Sequence, residues 1–183
     1  MPEFMRLSTD QRADGGWKTG EGQPVSSWKS KAGGLQPVAG ADFFVVSNDS
    51  DKPLNACTWK LFDKLFTQGT YTVTYSVGDL KNKDFTKNGT NASFVLFADV
   101  NGNGKFEWGE RIKLTGKKRK EPDGDWKIWT DTYEITDDTY TANEGKVLGK
   151  KLGFVALAYV DKGQNFAFDS LNIAVVPSSN KEK

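Results

Sequence analysis

The chain has 183 residues, 37% hydrophobic and 27% charged, enough for one domain with a real core. It contains no histidine and one cysteine, which excludes imidazole-based nucleophiles, His-liganded zinc or iron, internal disulfides and cysteine metal clusters built from this chain alone. Twenty-five basic against 24 acidic residues leave a net charge of +1, so there is no general attraction to nucleic acid or to a membrane surface.

Residues 1–7 have no basic region followed by an apolar run, and read as a cloning-derived or disordered leader rather than a secretory signal. From Ser8 to Gly40 the composition is Gly, Ser, Lys, Gln and Pro, broken by Trp17, Trp28 and Leu35, which predicts loop laid over a core. Phe43–Val46 and Thr58–Phe62 are the first β-rich runs. Thr70–Val77 carries the clearest strand signal, because Tyr71, Val73, Tyr75 and Val77 share one face by the period of two. Ser93–Ala98 is apolar on both faces, as a buried central strand should be. Arg111–Leu114, Trp126–Ile135, Leu152–Val160 and Asn165–Val176 complete eight predicted strands, separated by Gly, Asn and Asp turns.

No window repeats apolar residues convincingly at helical spacing, Leu54–Phe66 being the nearest competitor, and no apolar run approaches the ~18 residues of a membrane span. A parallel sheet would need helical crossovers. The pattern therefore predicts an all-β fold, a two-sheet antiparallel β-sandwich (jelly roll) of about eight strands. It would span residues 8–176 as a single domain, with 177–183 a disordered tail.

Asp99-Val100-Asn101-Gly102-Asn103-Gly104-Lys105-Phe106-Glu107-Trp108-Gly109-Glu110 sets oxygen side chains at positions 1, 3, 5, 9 and 12 of a twelve-residue frame, with glycine at 6. Calcium takes six to eight hard oxygen ligands. Asp99, Asn101 and Asn103 would offer side-chain oxygens, Lys105 its carbonyl, Glu107 a direct or water-mediated contact, and Glu110 a bidentate carboxylate. With three carboxylates the affinity should fall at the weak end, roughly 10⁻⁴ to 10⁻³ M, which favours a structural role. The competing reading is an Asn-Gly-Asn-Gly hairpin whose glycines supply positive φ and whose acids face solvent. The segment resembles the calcium loops of EF-hand and dockerin repeats, without the flanking helices.

Six tryptophans are many for this length. Trp108, Trp126, Trp129 and Tyr133 lie close in sequence and are candidate platforms for the flat C–H faces of sugar rings, with core packing as the alternative for any one of them. Trp126 and Trp129 are three apart, so a regular strand points them to opposite faces and one should be core. Lys113, Lys117, Lys118, Arg119 and Lys120 read either as a solvated hairpin loop or as an electropositive lip for an acidic polysaccharide. No carboxylate spacing singles out a glycosidase pair. The triplets at Asn48, Asn88 and Asn91 match the N-glycosylation pattern but do not decide origin.

The Trp/Gly-rich opening segment, the Thr70–Gly78 run and the closing Asn165-Phe166-Ala167-Phe168-Asp169-Ser170-Leu171-Asn172-Ile173-Ala174-Val175 together are similar to non-catalytic carbohydrate-binding modules and galactose-binding-like jelly rolls of secreted bacterial proteins. The resemblance spans roughly residues 14–176 in pattern and implies a β-sandwich that binds glycan, often with structural calcium. The expected function is thus non-catalytic polysaccharide binding with a calcium site, in an extracellular or cell-surface setting, as one monomeric module of a larger protein. Neither nucleic acid nor a membrane span is expected. The alternative is a calcium-stabilised extracellular adhesion module that binds protein partners.

Overall fold

The computed structural model describes residues 3–7, 18–19, 26–38, 42–81, 83–86 and 92–178. Trp17, Asn88 and Asn91 lie outside them. Twelve strands are described: β1 (Glu3–Leu7), β2 (Lys18–Thr19), β3 (Ser26–Lys29), β4 (Phe43–Ser47), β5 (Leu54–Leu65), β6 (Gly69–Gly78), β7 (Asp84–Phe85), β8 (Ala92–Asp99), β9 (Gly116–Lys118), β10 (Trp126–Ile135), β11 (Lys151–Val160) and β12 (Gln164–Pro177). One sheet runs in the order β3-β4-β12-β6-β10-β9, with β1 and β7 also on β12; the other runs β2-β5-β11-β8. All pairings are antiparallel except the two-residue contact of β7 with β12. The two sheets pack face to face as a β-sandwich of jelly-roll type.

Alternation in the sequence places the core. On β6, Tyr71, Val73, Tyr75 and Val77 all point inward and are buried, as their period of two requires. On β10 the inward set is Trp129, Asp131, Tyr133 and Ile135, while Ile128 is exposed. From the opposite sheet come Phe94 and Leu96 of β8 and Phe154 of β11, which meet Phe166 and Phe168 of β12 in a cluster of stacked, tilted and edge-on rings. Tyr75 stacks on Phe94 with centroids 5.6 Å apart. Offset and edge-on pairs of this kind add about 0.5–1.5 kcal/mol each beyond the area they bury.

Four expectations need correction. Arg111–Leu114 is not a strand: a short 3₁₀ turn (Trp108–Glu110) precedes it, and Arg111 and Ile112 make only isolated bridges to Phe97 and Thr141. The loop expected from Ser8 to Gly40 contributes β2 and β3, and Leu35 is buried against Phe43 and Leu80. Residues 3–7, set aside as leader, pair with Leu171–Val175 of β12, and Pro177, assigned to the tail, pairs with Gly69. Short strands at a sheet edge have too few alternating residues to register as a period. The Leu54–Phe66 stretch, the nearest approach to a helix, is mostly β5. Among the described residues no helix is long and apolar enough to cross a membrane.

Candidate functional site

β8 and β9 are terminal strands of the two sheets, and a cleft of about 650 Å³ opens beside them. Its walls come from Ser93–Val95 of β8, from 111–114 after the 3₁₀ turn, from Lys117 and Arg119 on and after β9, and from 140–142. Phe94 and Ile112 give it an apolar base. Around that base stand four cations, Arg111, Lys113, Lys117 and Arg119, and among the described residues no carboxylate lines the cleft. Tyr140 sits at the mouth, 49% exposed.

Arg119 is held from beneath. Its Nε and Nη2 donate to the two carboxylate oxygens of Asp131 at 2.9 and 2.7 Å, and Nη2 also donates to the Phe94 carbonyl at 3.1 Å. Asp131 is fully buried and also accepts from the Tyr75 hydroxyl at 2.6 Å. The Arg119 guanidinium lies 4.9 Å from the centroid of Trp129. Burial, the largest single influence, works against the Arg119 charge, but the Asp131 hydrogen bonds together with the electrostatic influence of Tyr75, Asp131 and Tyr133 hold its pKa above the ordinary arginine value. The same pocket pushes the Tyr75 phenol up, first through burial and then through the Asp131 charge. A buried carboxylate with every oxygen bonded and a forked arginine above it makes a rigid cationic floor.

The twelve-residue loop ends where the cleft wall begins, at Glu110 and Arg111. Asp99 closes β8, and its Oδ2 accepts from Gly104 N at 3.0 Å. Asn101 Oδ1 takes Asn103 N, and Asn103 Oδ1 takes Lys105 N. Gly102 and Gly104 both stand at positive φ, +70° and +73°, which ring the chain tightly around the acids. The Glu110 carboxylate accepts from Val100 N and Glu107 N. Burial raises its pKa, the backbone donors oppose the rise, and the Glu107 and Asp99 charges add to it. Glu107 instead accepts from the Asn101 and Asn103 amides.

One atom in this ring is anomalous: Asp99 Oδ1 is buried and has no hydrogen-bond partner. An anionic oxygen so placed is costly unless a cation meets it. Among the described residues no three Asp, Glu, Cys or His side chains converge on one point, so an ion here would draw on amide and backbone oxygens as well. That mixed, all-oxygen donor set suits calcium.

The predicted aromatic platforms divide. Trp108 is 57% exposed, with the Arg111 guanidinium 3.6 Å from its ring centroid. Trp126 is half-buried on the outer side of β10, edge-on to Phe43, and its indole N–H donates to Gln36 O. Trp129 and Tyr133 are corrected to core. Trp129 is 6% exposed and donates its indole N–H to Lys120 O, and Tyr133 is fully buried with its hydroxyl accepting from Leu96 N. Neither ring has a face to offer a sugar. Tyr140 was missed, although an aromatic inside the polar run Thr136-Asp137-Asp138-Thr139-Tyr140-Thr141 has no apolar partners in sequence and is therefore a surface residue by composition. The first N-glycosylation triplet is closed to a glycan because Asn48 is buried and its amide donates to Lys52 O and Val160 O.

The fold and cleft define a β-sandwich of the jelly-roll kind with a basic groove beside β8 and β9. No family model matches the chain, and no curated protein matches it. Solved structures do share the fold. The cyclase described as Stig cyclase Fisc from Fischerella sp. TAU, in complex with an indole ligand, is 16% identical with a TM-score of 0.55, covering 96% of this chain and 90% of that one. The CBM22-1 xylan-binding domain from Paenibacillus barcinonensis Xyn10C is 12% identical with a TM-score of 0.51, covering 96% and 95%. TmCBM61, in complex with beta-1,4-galactotriose, is 12% identical with a TM-score of 0.50, covering 92% and 97%. The architecture thus serves both binding modules and an enzyme.

Proposed function

We propose that this domain is a non-catalytic carbohydrate-binding module of an extracellular or cell-surface protein, kept in shape by calcium in the Asp99–Glu110 loop. The observation that carries the reading is the cleft beside β8 and β9. It is large enough for a short stretch of glycan, and combines an exposed Tyr140 ring with hydrogen-bond donors around an apolar base. Likeness to a xylan-binding and a galactotriose-binding structure supports the reading at the level of fold. Trp108, stacked on Arg111 at the junction of loop and cleft, extends the aromatic surface. Calcium enters through the buried, unpartnered Asp99 oxygen; by fixing the loop it would also fix Arg111, the next residue along the chain. The Asp131 carboxylate that holds Arg119 is spent on Arg119 and Tyr75, which favours binding over acid-base chemistry.

The test is retention of the domain on a panel of insoluble polysaccharides, in millimolar calcium and again in chelator. The reading expects retention by a defined polymer, weakened by chelator and by Tyr140→Ala. Release of soluble products from the polymer would make the domain an enzyme. Retention by none would favour the adhesion reading.

A further inference from the structure

The cleft concentrates charge that the chain as a whole does not have. Net charge over 183 residues is +1, yet among the described residues four cations and no anion line this groove. Among the described residues only Arg119 of the four has an ion-pair partner; Arg111, Lys113 and Lys117 have none. Asp131 therefore balances one charge and leaves the groove positive.

Arg119 is also prepared to bind. Nε and Nη2 are committed to Asp131 and Phe94, and this fixes the guanidinium plane. Its third nitrogen, Nη1, carries two N–H donors with no hydrogen-bond partner among the described residues, and Arg119 itself lines the cleft. A planar, immobilised donor pair loses little entropy when it takes an anionic oxygen. Lys113 and Lys117, both exposed, flank the groove as mobile charges that tolerate variation in the spacing of acidic groups along a chain.

We propose that this groove selects acidic polysaccharides, with Arg119 taking an anionic group of the sugar chain, Lys113 and Lys117 neutralising neighbouring ones, and the Tyr140 ring meeting a sugar face. The proposal rests on the carbohydrate-binding reading above. Carboxylates of uronic acids and sulfate esters share the chemistry that these donors recognise. A nucleic acid suits the groove less well, because single strands are held on a series of exposed rings and the lining offers only Tyr140 in the open.

The test is affinity electrophoresis of the whole chain, in calcium, through gels containing hyaluronan (carboxylate only), dextran sulfate (sulfate only), a neutral galactan, or single-stranded DNA. The expected result is retardation by one or both acidic polysaccharides and less by galactan, relieved by added salt. Hyaluronan alone would identify carboxylate as the recognised group, and dextran sulfate alone would identify sulfate. Lys113→Ala with Lys117→Ala should weaken the acidic interaction about tenfold, as the product of about threefold for each exposed charge pair. Both lysines are exposed, so the melting temperature should be unchanged. Retardation by galactan alone would overturn acidic selectivity while leaving carbohydrate binding intact. Retardation by no polysaccharide would overturn both. Equal or stronger retardation by DNA, or acidic binding indifferent to the double lysine variant, would overturn the assignment of this groove.

Discussion

Replacing Asp131 by alanine should be among the most damaging single changes in the molecule. The carboxylate is fully buried and serves three donors on two neighbours: Arg119 Nε and Nη2, and the Tyr75 hydroxyl. Its removal strands the phenol in the aromatic core, which costs about 1–3 kcal/mol for an unsatisfied buried hydroxyl. It also leaves Arg119, whose side chain is 18% exposed, without its counter-charge. Breaking a buried pair by deleting one member typically costs about 3–5 kcal/mol. Because Arg119 can reach water by swinging toward the cleft, the lower part of that range, about 3 kcal/mol, is the expected loss. For a chain of this length such a loss lowers Tm by on the order of 10 °C. Asp131→Asn keeps an acceptor for one donor and should lose about half as much. The assay is urea unfolding followed by tryptophan fluorescence, with calcium present throughout. A loss below about 1 kcal/mol for Asp131→Ala would show that Asp131 and Arg119 behave as a surface pair and not as a buried one.

Calcium at one hundred times its dissociation constant should stabilise the domain by about 2.7 kcal/mol, seen as a chelator-sensitive rise in Tm. Asp99→Asn should abolish that rise without lowering the calcium-free Tm, because it removes a buried charge whose Oδ1 has no partner and keeps an oxygen for Gly104 N; a loss of calcium-free stability would show that the Asp99 charge serves the fold directly. Tyr75 and Tyr133 have pKa values raised chiefly by burial, so the folded state holds protons that the unfolded chain releases above about pH 10. Stability is therefore fully present below that pH and falls as pH rises beyond it, and tyrosinate absorbance from these two should appear together with loss of circular dichroism. Their ionisation in an intact fold would contradict the burial argument. Trp108→Ala should weaken polysaccharide retention by a few-fold and leave Tm within about 2 °C, as expected for an exposed ring; a large Tm drop would make Trp108 structural.

Where the two-residue period was long enough, the chain announced its own fold. Thr70–Val77 and Trp126–Ile135 are strands with the inward faces that alternation requires, and the spacing of Trp126 and Trp129 does send them to opposite sides of β10. Strands of two to five residues, such as β2, β3 and β9, exist because a longer neighbour offers them an edge, and nothing local encodes that. The aromatic platforms failed for a related reason. Tyr133 and Trp129 carry polar atoms that find partners inside the sandwich, on Leu96 and Lys120, so their chemistry alone could not tell a sugar platform from a core ring. Asp131 did leave a trace, as a carboxylate on the inward face between Trp129 and Tyr133, where only a buried cation could keep it charged. That the cation is Arg119, one member of a basic run that otherwise reads as solvated loop, is set by the return of the chain after β9. The calcium-loop frame was legible residue by residue; the unpartnered Asp99 oxygen became visible only when its neighbours were in place.

The most direct test of the central claim is chemical-shift mapping on the isotopically labelled domain, titrated in calcium with oligosaccharides of hyaluronan and of galactan. Saturable shifts are expected with at least one of them, clustered at residues 93–95, 111–119 and 140–142. Shifts centred on another surface, or none with either series, would contradict that claim.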